Sequence, residues 1–370
     1  MWQWGRRGAG PLVAAAMARE LAALPGVETR LSLSTGAELL RLPNAPANDV
    51  PVRTYESRGG FVARIMGSPW LAPAVANAVA ALQVDAAICA MPAPLDFVMA
   101  AALRQAGVPY AVVVHDAERH PGDTFPMQMA LQRWLLRDAG ALFALSGHVA
   151  GQLRGRGLKP GLPLLLASLP PFVFGPPPPP VGAHGGRLRL LSFGRLLPYK
   201  GLDLLADALA LLAGRDDFEM RVVGSGPETA ELDRLRRLPN VTVENRWVPE
   251  DELGDLLGWA DALVLSHREA SQSGVAAAAI AARRWVIGTR VGGLVEQLQD
   301  QDMAVLCAPE PASIAAAIAG LSGRAAPPGI PGGDWRGTAE AVAAALGDLV
   351  RRTPAARHAA GRVMSPGRMS

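Results

Sequence analysis

Two cations flank a turn at residues 193–201, which read F-G-R-L-L-P-Y-K-G between a predicted strand and a predicted helix. Gly194 allows a ligand to approach the backbone closely, and Gly201 opens a helix whose first amides favour an anion. Arg195 and Lys200 bring two positive charges to one place, which is the arrangement that a diphosphate requires. Taken alone, these residues are equally consistent with a solvated charge pair beside a turn.

Two further strand-to-helix turns carry glycine or polar residues. Residues 223–228 read V-G-S-G-P-E around Gly224, a weak signal because any tight turn of this kind uses glycine. Residues 266–275 read S-H-R-E-A-S-Q-S-G-V and precede an alanine-rich helix, whose free N–H groups can bind phosphate or sugar oxygens. Glu269 is placed to accept hydrogen bonds from sugar hydroxyls, and its alternative role is that of a loop or capping carboxylate. Residues 289–296, T-R-V-G-G-L-V-E, form a fourth block that enters a short helix.

In this order and spacing, the four blocks resemble the C-terminal domain of the GT4-type, GT-B-fold retaining glycosyltransferases. The resemblance covers about residues 190–321. It extends more weakly over the first half of the chain, through the glycine loop at residues 5–10 and the pair His115-Asp116. It implies a reaction that moves a hexose from a nucleotide diphosphate sugar to an acceptor hydroxyl with retention of configuration.

The resemblance also implies roles for residues of the second half. Arg195 and Lys200 are expected to hold the donor diphosphate. Glu269 begins the family's E-x7-E element and is expected to contact the transferred sugar. Glu269, Arg195 and Lys200 are expected to be catalytic residues. Further donor contacts are expected from Gly224 and from the loop residues Ser273, Gly274 and Val275.

One position departs from the family pattern. Eight residues after Glu269 the chain has Ala277, so the carboxylate that normally holds the nucleotide ribose is missing. Loss of one charged hydrogen bond costs about 1.5–3 kcal/mol of donor binding, too little by itself to abolish catalysis. Because E-A-S-Q-S-G-V looks like a subgroup of the family, the sequence favours a variant enzyme over an inactive protein.

In the first half, His115 follows a predicted strand and is expected, by resemblance, to lie beside the transferred sugar as a catalytic residue. Asp116 and His120 are further candidates for sugar contact, and Gly8 and Gly10 for the acceptor side. The alternative interpretations are a histidine that caps a strand end and a tight glycine turn.

No metal ion or cofactor is expected, with the nucleotide diphosphate sugar acting as a co-substrate. The chain has no D-x-D element of the metal-dependent transferases and no His/Cys cluster at ligand spacing. Its two cysteines, Cys89 and Cys307, have apolar neighbours and are expected to be buried.

Strands and helices alternate along the whole chain, and uninterrupted apolar strands such as 110–114 are typical of a parallel sheet covered on both faces. The fold class is therefore expected to be α/β, with two doubly wound Rossmann-like domains facing each other across a cleft, as in GT-B. Strands are predicted at 27–33, 86–90, 110–114, 141–145, 189–193, 219–223, 241–244, 262–265, 286–288 and 304–306. The predicted helices include 12–24, 73–82, 97–106, 127–137, 201–213, 228–238, 250–257 and 275–282.

Composition shifts divide the chain. Residues 1–170 are expected to form the N-terminal acceptor-side domain, whose first strand has only Met1–Trp4 before the glycine loop and looks truncated. Residues 171–187 are rich in proline and glycine and read as the interdomain linker. Residues 188–330 form the predicted donor domain, residues 331–350 a helix that crosses back to the first domain, and residues 351–370 a basic, disordered tail.

Charge limits the partners. The net charge is +3, but the last 20 residues hold five arginines and no acid, so the pI of about 9.2 gives no support to a nucleic-acid-binding body.

The uncharged stretch 65–84 contains glycine and two prolines and does not read as a membrane span. The expected location is the cytoplasm; for the tail, solvation is favoured over weak peripheral contact with the inner membrane face.

The expected partners are a nucleotide-sugar donor and a glycan or lipid-linked acceptor, in cell-surface glycan or polysaccharide biosynthesis. Two alternatives stay open: a catalytically impaired nucleotide-sugar-binding protein and a GT-B-fold sugar epimerase. A nicotinamide dehydrogenase is disfavoured, because the glycines at 5–10 lack the G-x-G-x-x-G spacing.

Overall fold

The computed structural model describes residues 1–122, 127–174, 177–324, 327 and 335–353. The chain forms two six-stranded sheets, and every strand pair within the described residues is parallel. Because parallel neighbours need a crossover, a helix or a longer connection follows almost every strand. The predicted α/β, GT-B-like architecture of two doubly wound units is confirmed.

The first sheet has the strand order β2-β1-β3-β4-β5-β6. Its strands are β1 Trp2–Gln3, β2 Ser32–Leu33, β3 Ala87–Cys89, β4 Tyr110–Val114, β5 Ala141–Ala144 and β6 Leu164–Leu166. Its helices are α1 Ala9–Ala22, α2 Arg58–Met66, α3 Ser68–Ala81, α4 Asp96–Gln105, α5 Gln128–Arg137 and α6 Gly147–Gly155. All five residues of β4 are buried, as an apolar strand covered on both faces requires.

The second sheet has the order β12-β11-β10-β7-β8-β9. Its strands are β7 Leu188–Phe193, β8 Phe218–Gly224, β9 Val241–Asn245, β10 Ala262–Leu265, β11 Trp285–Thr289 and β12 Ala304–Cys307. The helices of this half are α7 Leu202–Leu211, α8 Ala230–Arg236, α9 Leu253–Trp259, α10 Gly274–Ala281, α11 Gly292–Leu298 and α12 Pro311–Ala319, followed by α13 Arg336–Arg352. In such sheets the loops that follow the carboxyl ends of the strands form the ligand-binding edge.

Helix α13 packs against α1 of the first half. The Trp335 indole N–H donates to the Pro171 carbonyl at 3.1 Å. Leu349 occupies the space that a side chain at position 140 would need, which explains why Gly140 fits there. Beyond Thr353 the predicted basic tail lies outside the described residues.

Several element boundaries differ from the sequence predictions. The strand predicted at 27–33 is reduced to β2, which among the described strands pairs with β1 alone, a strand of two residues. The amides of Leu31 and Leu33 on its open side are instead bound by Asp49 and Asn48 side chains. The helix predicted from residue 73 begins at Ser68, with Pro73 inside it.

Two helices and one strand were not predicted. Helix α2 begins at the Ser57 cap, whose hydroxyl accepts from Gly60 N at 3.1 Å. Helix α6 contains three glycines, which hide its helical character, and it is held by the Ser146 cap and by buried Val149 and Leu153. Strand β6 is a three-residue edge strand beside β5.

The apolar core extends through both halves. One cluster of buried side chains covers the second sheet and continues through Leu169 and Phe172 to α1 and one face of the first sheet. A second cluster fills the other face of the first sheet. Both cysteines are buried and unbridged, as predicted. Within the part of the chain that the structure describes, no helix is long and apolar enough to cross a membrane.

Candidate active site

The carboxyl edges of the two sheets face each other, and the polar loops predicted from the sequence meet there. The loop after β4 supplies His115, Asp116 and His120. The loop after β7 supplies Arg195 and Lys200, and the loop after β10 supplies Glu269.

Two histidines and two carboxylates form a chain of contacts across the cleft. His115 Nδ1 lies 3.0 Å from Asp116 Oδ2, and His120 Nε2 lies 3.1 Å from Asp116 Oδ1. On its other side, His120 Nδ1 lies 2.9 Å from Glu269 Oε1 in the opposite half of the molecule. Three of the four residues predicted to surround the sugar therefore follow one strand, and the fourth joins them from the second sheet.

The protonation of this cluster follows from its contacts. Burial alone raises the pKa of Asp116, but the hydrogen bonds and charges of His115 and His120 outweigh it and hold the pKa well below its usual range. Burial lowers the pKa of His120. The hydrogen bonds and charges of Asp116 and Glu269 raise the pKa by more than burial lowers it, so the net shift is upward. The cluster thus favours a protonated His120 between two carboxylates.

Tyr199 connects this cluster to the two cations. Its ring stacks on the His120 ring at 4.5 Å between centroids, with 15° between the planes. Arg195 Nη2 donates to the Tyr199 hydroxyl at 3.0 Å, and Lys200 Nζ lies 5.2 Å from the centroid of the ring. The aromatic ring thereby holds both cations beside His120.

Lys200 makes a short contact with a histidine that sequence reasoning missed. Its Nζ lies 2.8 Å from Nε2 of His267, which is buried. Burial, with a smaller effect of the Arg195 charge, lowers the pKa of Lys200 from its usual 10.5 to about 7. Burial, and then the Lys200 charge, lowers the pKa of His267 well below 6.5, so the imidazole is neutral and accepts from the amine.

The loop before α10 brings main-chain groups to the same edge. Ser273 caps the helix, since its hydroxyl accepts from Ala276 N at 3.2 Å. The Ser273 N–H donates to the Gln297 side chain at 2.9 Å, so in this structure it is already engaged. Gly274 faces Ala9 and Phe172, and Val275 lies beside Gly194, which places the start of α10 between the glycine loop and the cation-bearing turn.

Two of the glycines are required by backbone crowding. Gly201 has φ +66°, and a Cβ there would overlap the Ser266 carbonyl oxygen. Gly224 has φ +156°, and a Cβ there would overlap the Gly194 carbonyl oxygen. The structure therefore gives Gly224 a packing role between adjacent turns.

The glycines predicted for the acceptor side lie at the start of α1. Gly8 adopts φ +78° at the position before the helix, where no neighbour crowds it. Gly10 is buried, and a Cβ there would overlap the Gln3 amide. The loop therefore sits tightly on the end of β1.

Three further contacts tie the loops of the two sheets together. Gln272 Nε2 donates to the His115 carbonyl at 3.0 Å, and the Ser146 hydroxyl donates to the Ser271 carbonyl at 2.9 Å. The Glu296 carboxylate accepts from the amides of Gly147 and His148 at 2.6 and 2.8 Å, at the start of α6. These contacts hold the cleft closed.

A separate ionic cluster joins the segments that follow β1, β2 and β9. Arg7 Nε lies 2.8 Å from Glu38 Oε1, and the Trp247 indole N–H donates to Glu38 Oε2 at 3.2 Å. Nearby Glu250 is buried, and its carboxyl oxygens have no hydrogen-bond partner among the described residues. Burial, then the charges of Glu38 and Asp251, raises the pKa of Glu250 to about 7.

A cavity of about 420 Å³ opens beside this cluster of loops, between residues 166–171 and α11. Gln272, Glu296 and Gln297 line it, whereas Arg195 and Lys200 do not.

Ala277 lies in α10 and is fully buried in the apolar core. The position that carries the second acid in the family pattern is therefore a packing position here. Its neighbours Ala276 and Ala279 are equally buried.

Tyr199, His267, Gln272 and Gln297 were not predicted as site residues. Tyr199 and His267 stand within the motif blocks, so adjacency to Lys200 and Glu269 is the signal that could have found them. Gln297 follows the fourth block and has no such signal. Among the described residues, no group of three or more His, Cys, Asp or Glu side chains has an arrangement that could hold a metal ion. Metal independence stays a prediction.

Two family models match the chain. The one described as "Glycosyl transferases group 1" matches residues 187–323, and the one described as "Glycosyl transferase 4-like domain" matches residues 8–165. The N-acetyl-alpha-D-glucosaminyl L-malate synthase of Bacillus anthracis is 29% identical over 121 residues, which are 32% of this chain and 31% of that protein. The alignment therefore spans about a third of that curated relative.

Solved structures share the fold. HepE of Anabaena, in complex with UDP and glucose, is 16% identical with a TM-score of 0.62, and the match covers 99% of both chains. A UDP-N-acetylglucosamine 2-epimerase from Listeria monocytogenes is 13% identical with a TM-score of 0.56, over 94% of this chain and 95% of that one. At identities of 16% and 13%, these likenesses establish the architecture and not the reaction.

Proposed function

The chain belongs to the GT4-type glycosyltransferases, and we propose that it moves a hexose from a nucleotide diphosphate sugar to an acceptor hydroxyl with retention of configuration. The observation that carries this proposal is the placement of Arg195 and Lys200 around Tyr199, beside the start of α10. Two cations and a helix N-terminus together match the charge of a diphosphate.

In this proposal the cations stabilise the leaving diphosphate. Negative charge develops on the departing oxygen, and Arg195 and Lys200 are held in place before it forms. Burial lowers the pKa of Lys200 to about 7, and a bound diphosphate would favour the charged form of the amine. The neutral imidazole of His267 accepts a hydrogen bond from the Lys200 amine and so holds the amine in position.

The transferred sugar would occupy the space between the two halves. Glu269 is half-exposed, with 46% of its side chain open to solvent, so it can exchange His120 for a sugar hydroxyl. His115 and Asp116 would contact the sugar from the first half, where their mutual hydrogen bond fixes the imidazole orientation. With no nucleophile assigned, the proposed route is a front-face displacement without metal.

The domain roles follow from this assignment. Residues 1–170 would supply the acceptor side, residues 188–330 would bind the donor, and residues 171–187 would link the two. Closure excludes water, which protects the activated donor from hydrolysis. A glycan or lipid-linked acceptor, in polysaccharide biosynthesis at the cytoplasmic side, completes the proposal.

One observation favours a second candidate, a nucleotide-sugar-binding protein with impaired catalysis. The buried Ala277 leaves no carboxylate at the position where the family holds the ribose. This candidate predicts donor binding without turnover.

The test is thermal-shift binding of UDP, GDP, ADP and their sugar conjugates, followed by a transfer assay with the donor that binds. A ligand that binds only the folded state raises the melting temperature. Lys200→Ala should remove the shift and lower the transfer rate by about 10²–10³-fold. The chain has two lysines, so Lys159→Ala, at an exposed residue, is the matched control and should change neither.

The outcomes separate the candidates. A shift that is lost in Lys200→Ala, together with turnover, supports the transferase. The same shift without turnover supports the impaired binder. Normal turnover by Lys200→Ala would refute the diphosphate assignment.

A further inference from the structure

A row of large apolar side chains is exposed on the first half of the molecule. Val62, Met66 and Trp70 are 58%, 71% and 77% exposed. Val62 and Met66 are four residues apart on α2 and so lie on the same side of that helix. Trp70 follows at the start of α3, four residues after Met66. Scattered exposed apolar residues are ordinary, whereas a continuous row marks an interaction surface.

The surroundings of this row are unusually free of charge. From residue 59 to residue 84 the one charged side chain is Arg64. The outward positions of α3 are uncharged as well: Pro69, Pro73, Ala74, Asn77, Ala78, Ala80 and Ala81. A surface helix of a globular protein normally carries charged residues on this side.

The core does not account for the row. The inward side of these helices is formed by a separate set, Phe61, Ala72, Val75, Ala76 and Val79, all of which are buried. Helix α3 packs on α4 through its inner side. The exposed side chains are therefore additional to those that the fold needs.

The charges that border the row are mainly positive. Arg58 stands four residues before Val62 and continues the same line, and Arg53 is exposed nearby. Arg64 donates to the Thr54 carbonyl at 3.1 Å. Between residues 51 and 84 the one acid is Glu56.

We propose that Arg58, Val62, Met66 and Trp70, the α2–α3 face, dock on the surface of an anionic lipid bilayer. The apolar side chains enter the boundary between headgroups and acyl chains, where tryptophan is favoured, and the arginines meet lipid phosphates. A second copy of the chain fits less well, because an isologous contact would bring the same cations together with few acids to balance them.

This inference does not depend on the proposed transferase activity, because it uses residues outside the cleft. It also differs from a contact made by the basic tail, since it assigns the bilayer to an ordered face. In the implied orientation, helices α2 and α3 lie between the first sheet and the lipid.

The experiment is co-sedimentation of the full chain with phosphatidylcholine vesicles, with and without phosphatidylglycerol. The unaltered protein should pellet with the anionic vesicles. Met66→Gln combined with Trp70→Gln should weaken binding about tenfold or more, since it removes two inserted side chains. Arg58→Gln should weaken it several-fold and reduce its salt dependence.

Matched controls come from exposed residues on the second half. Leu211→Gln removes a side chain that is 63% exposed on α7, and Arg237→Gln removes an exposed arginine. Both should bind vesicles like the unaltered protein. The melting temperature of each variant shows whether it is folded.

Two results would overturn the proposal. If the double variant binds anionic vesicles as tightly as the unaltered protein, the bilayer contact belongs to another segment such as the basic tail. If no form pellets with vesicles, and light scattering shows an oligomer that the double variant dissociates, the face binds a second copy of the chain.

Discussion

His120 Nδ1 lies 2.9 Å from Glu269 Oε1, although 149 positions separate the two residues and they follow strands of different sheets. The contact closes the cleft with the protein's own groups at the place proposed for the sugar. Since Asp116 holds the other nitrogen of His120, the imidazole is oriented toward Glu269 before any ligand arrives. A donor sugar would therefore replace an existing contact.

The first prediction is that closure of the ligand-free protein weakens as pH rises. The pKa of His120 is raised, so its contribution is complete below the usual histidine value of about 6.5 and is lost as pH rises through the raised value. The charged and titratable groups around the cluster are His115, Asp116, Glu269, Lys200 and His267. Small-angle scattering should give a larger radius of gyration at about pH 9 than at about pH 6.

Two variants test the cause of that change. Glu269→Gln removes one of the carboxylates beside His120 and should flatten the pH dependence. Glu118→Gln, an exposed carboxylate near the same histidine in sequence, should keep it. An unchanged radius in the unaltered protein would contradict the prediction.

The second prediction is that nucleotide diphosphate binding takes up a proton. The pKa of Lys200 is about 7 in the free protein, and a diphosphate favours the charged amine. Affinity should fall as pH rises above about 7, by up to tenfold per pH unit. Calorimetry of UDP binding in buffers of different ionisation enthalpy measures the uptake directly.

Lys200→Arg provides the control for this linkage. Arginine stays charged throughout the accessible pH range, so the variant should bind without taking up a proton at this site. Equal proton uptake by the variant and the unaltered protein would assign the linkage to another group.

The third prediction concerns the turn that carries Lys200. Gly201→Ala should lower the free energy of unfolding by about 2–4 kcal/mol, from the left-handed backbone and the displaced Ser266 carbonyl. Gly26→Ala has a similar φ of +74° and open space around it, so it should cost about 1 kcal/mol. Denaturant unfolding measures the free energy of unfolding of both variants. Equal losses of stability would mean that the Ser266 carbonyl moves aside at no cost.

The sequence was sufficient for the parts of the site that adjoin strand ends. Arg195 and Lys200 stand between a clear apolar strand and a clear helix, so local patterning placed them correctly at the carboxyl end of β7. The contact between His120 and Glu269 depends on how the two halves pack, which no local pattern encodes. The contact between His267 and Lys200 joins loops that follow two different strands, so it too depends on packing.

Edge elements were the least predictable for a related reason. Strand β2 is short because β1 is short, and not because residues 27–31 lack strand character. The sequence shows residues 65–84 only as an uncharged stretch, because the exposure of Val62, Met66 and Trp70 is a property of the packed structure.

The last prediction concerns position 277, where the family pattern has its second acid. Ala277 is fully buried between α10 and the core, so Ala277→Glu would place a carboxylate in an apolar environment. We expect a loss of several kcal/mol in the free energy of unfolding and no gain in affinity for UDP. Ala210→Glu, on the exposed side of α7, should cost less than about 0.5 kcal/mol. The opposite result would be unchanged stability together with tighter UDP binding. It would mean that position 277 faces the ribose in an open form of the protein, and that the missing carboxylate alone accounts for the lost ribose contact.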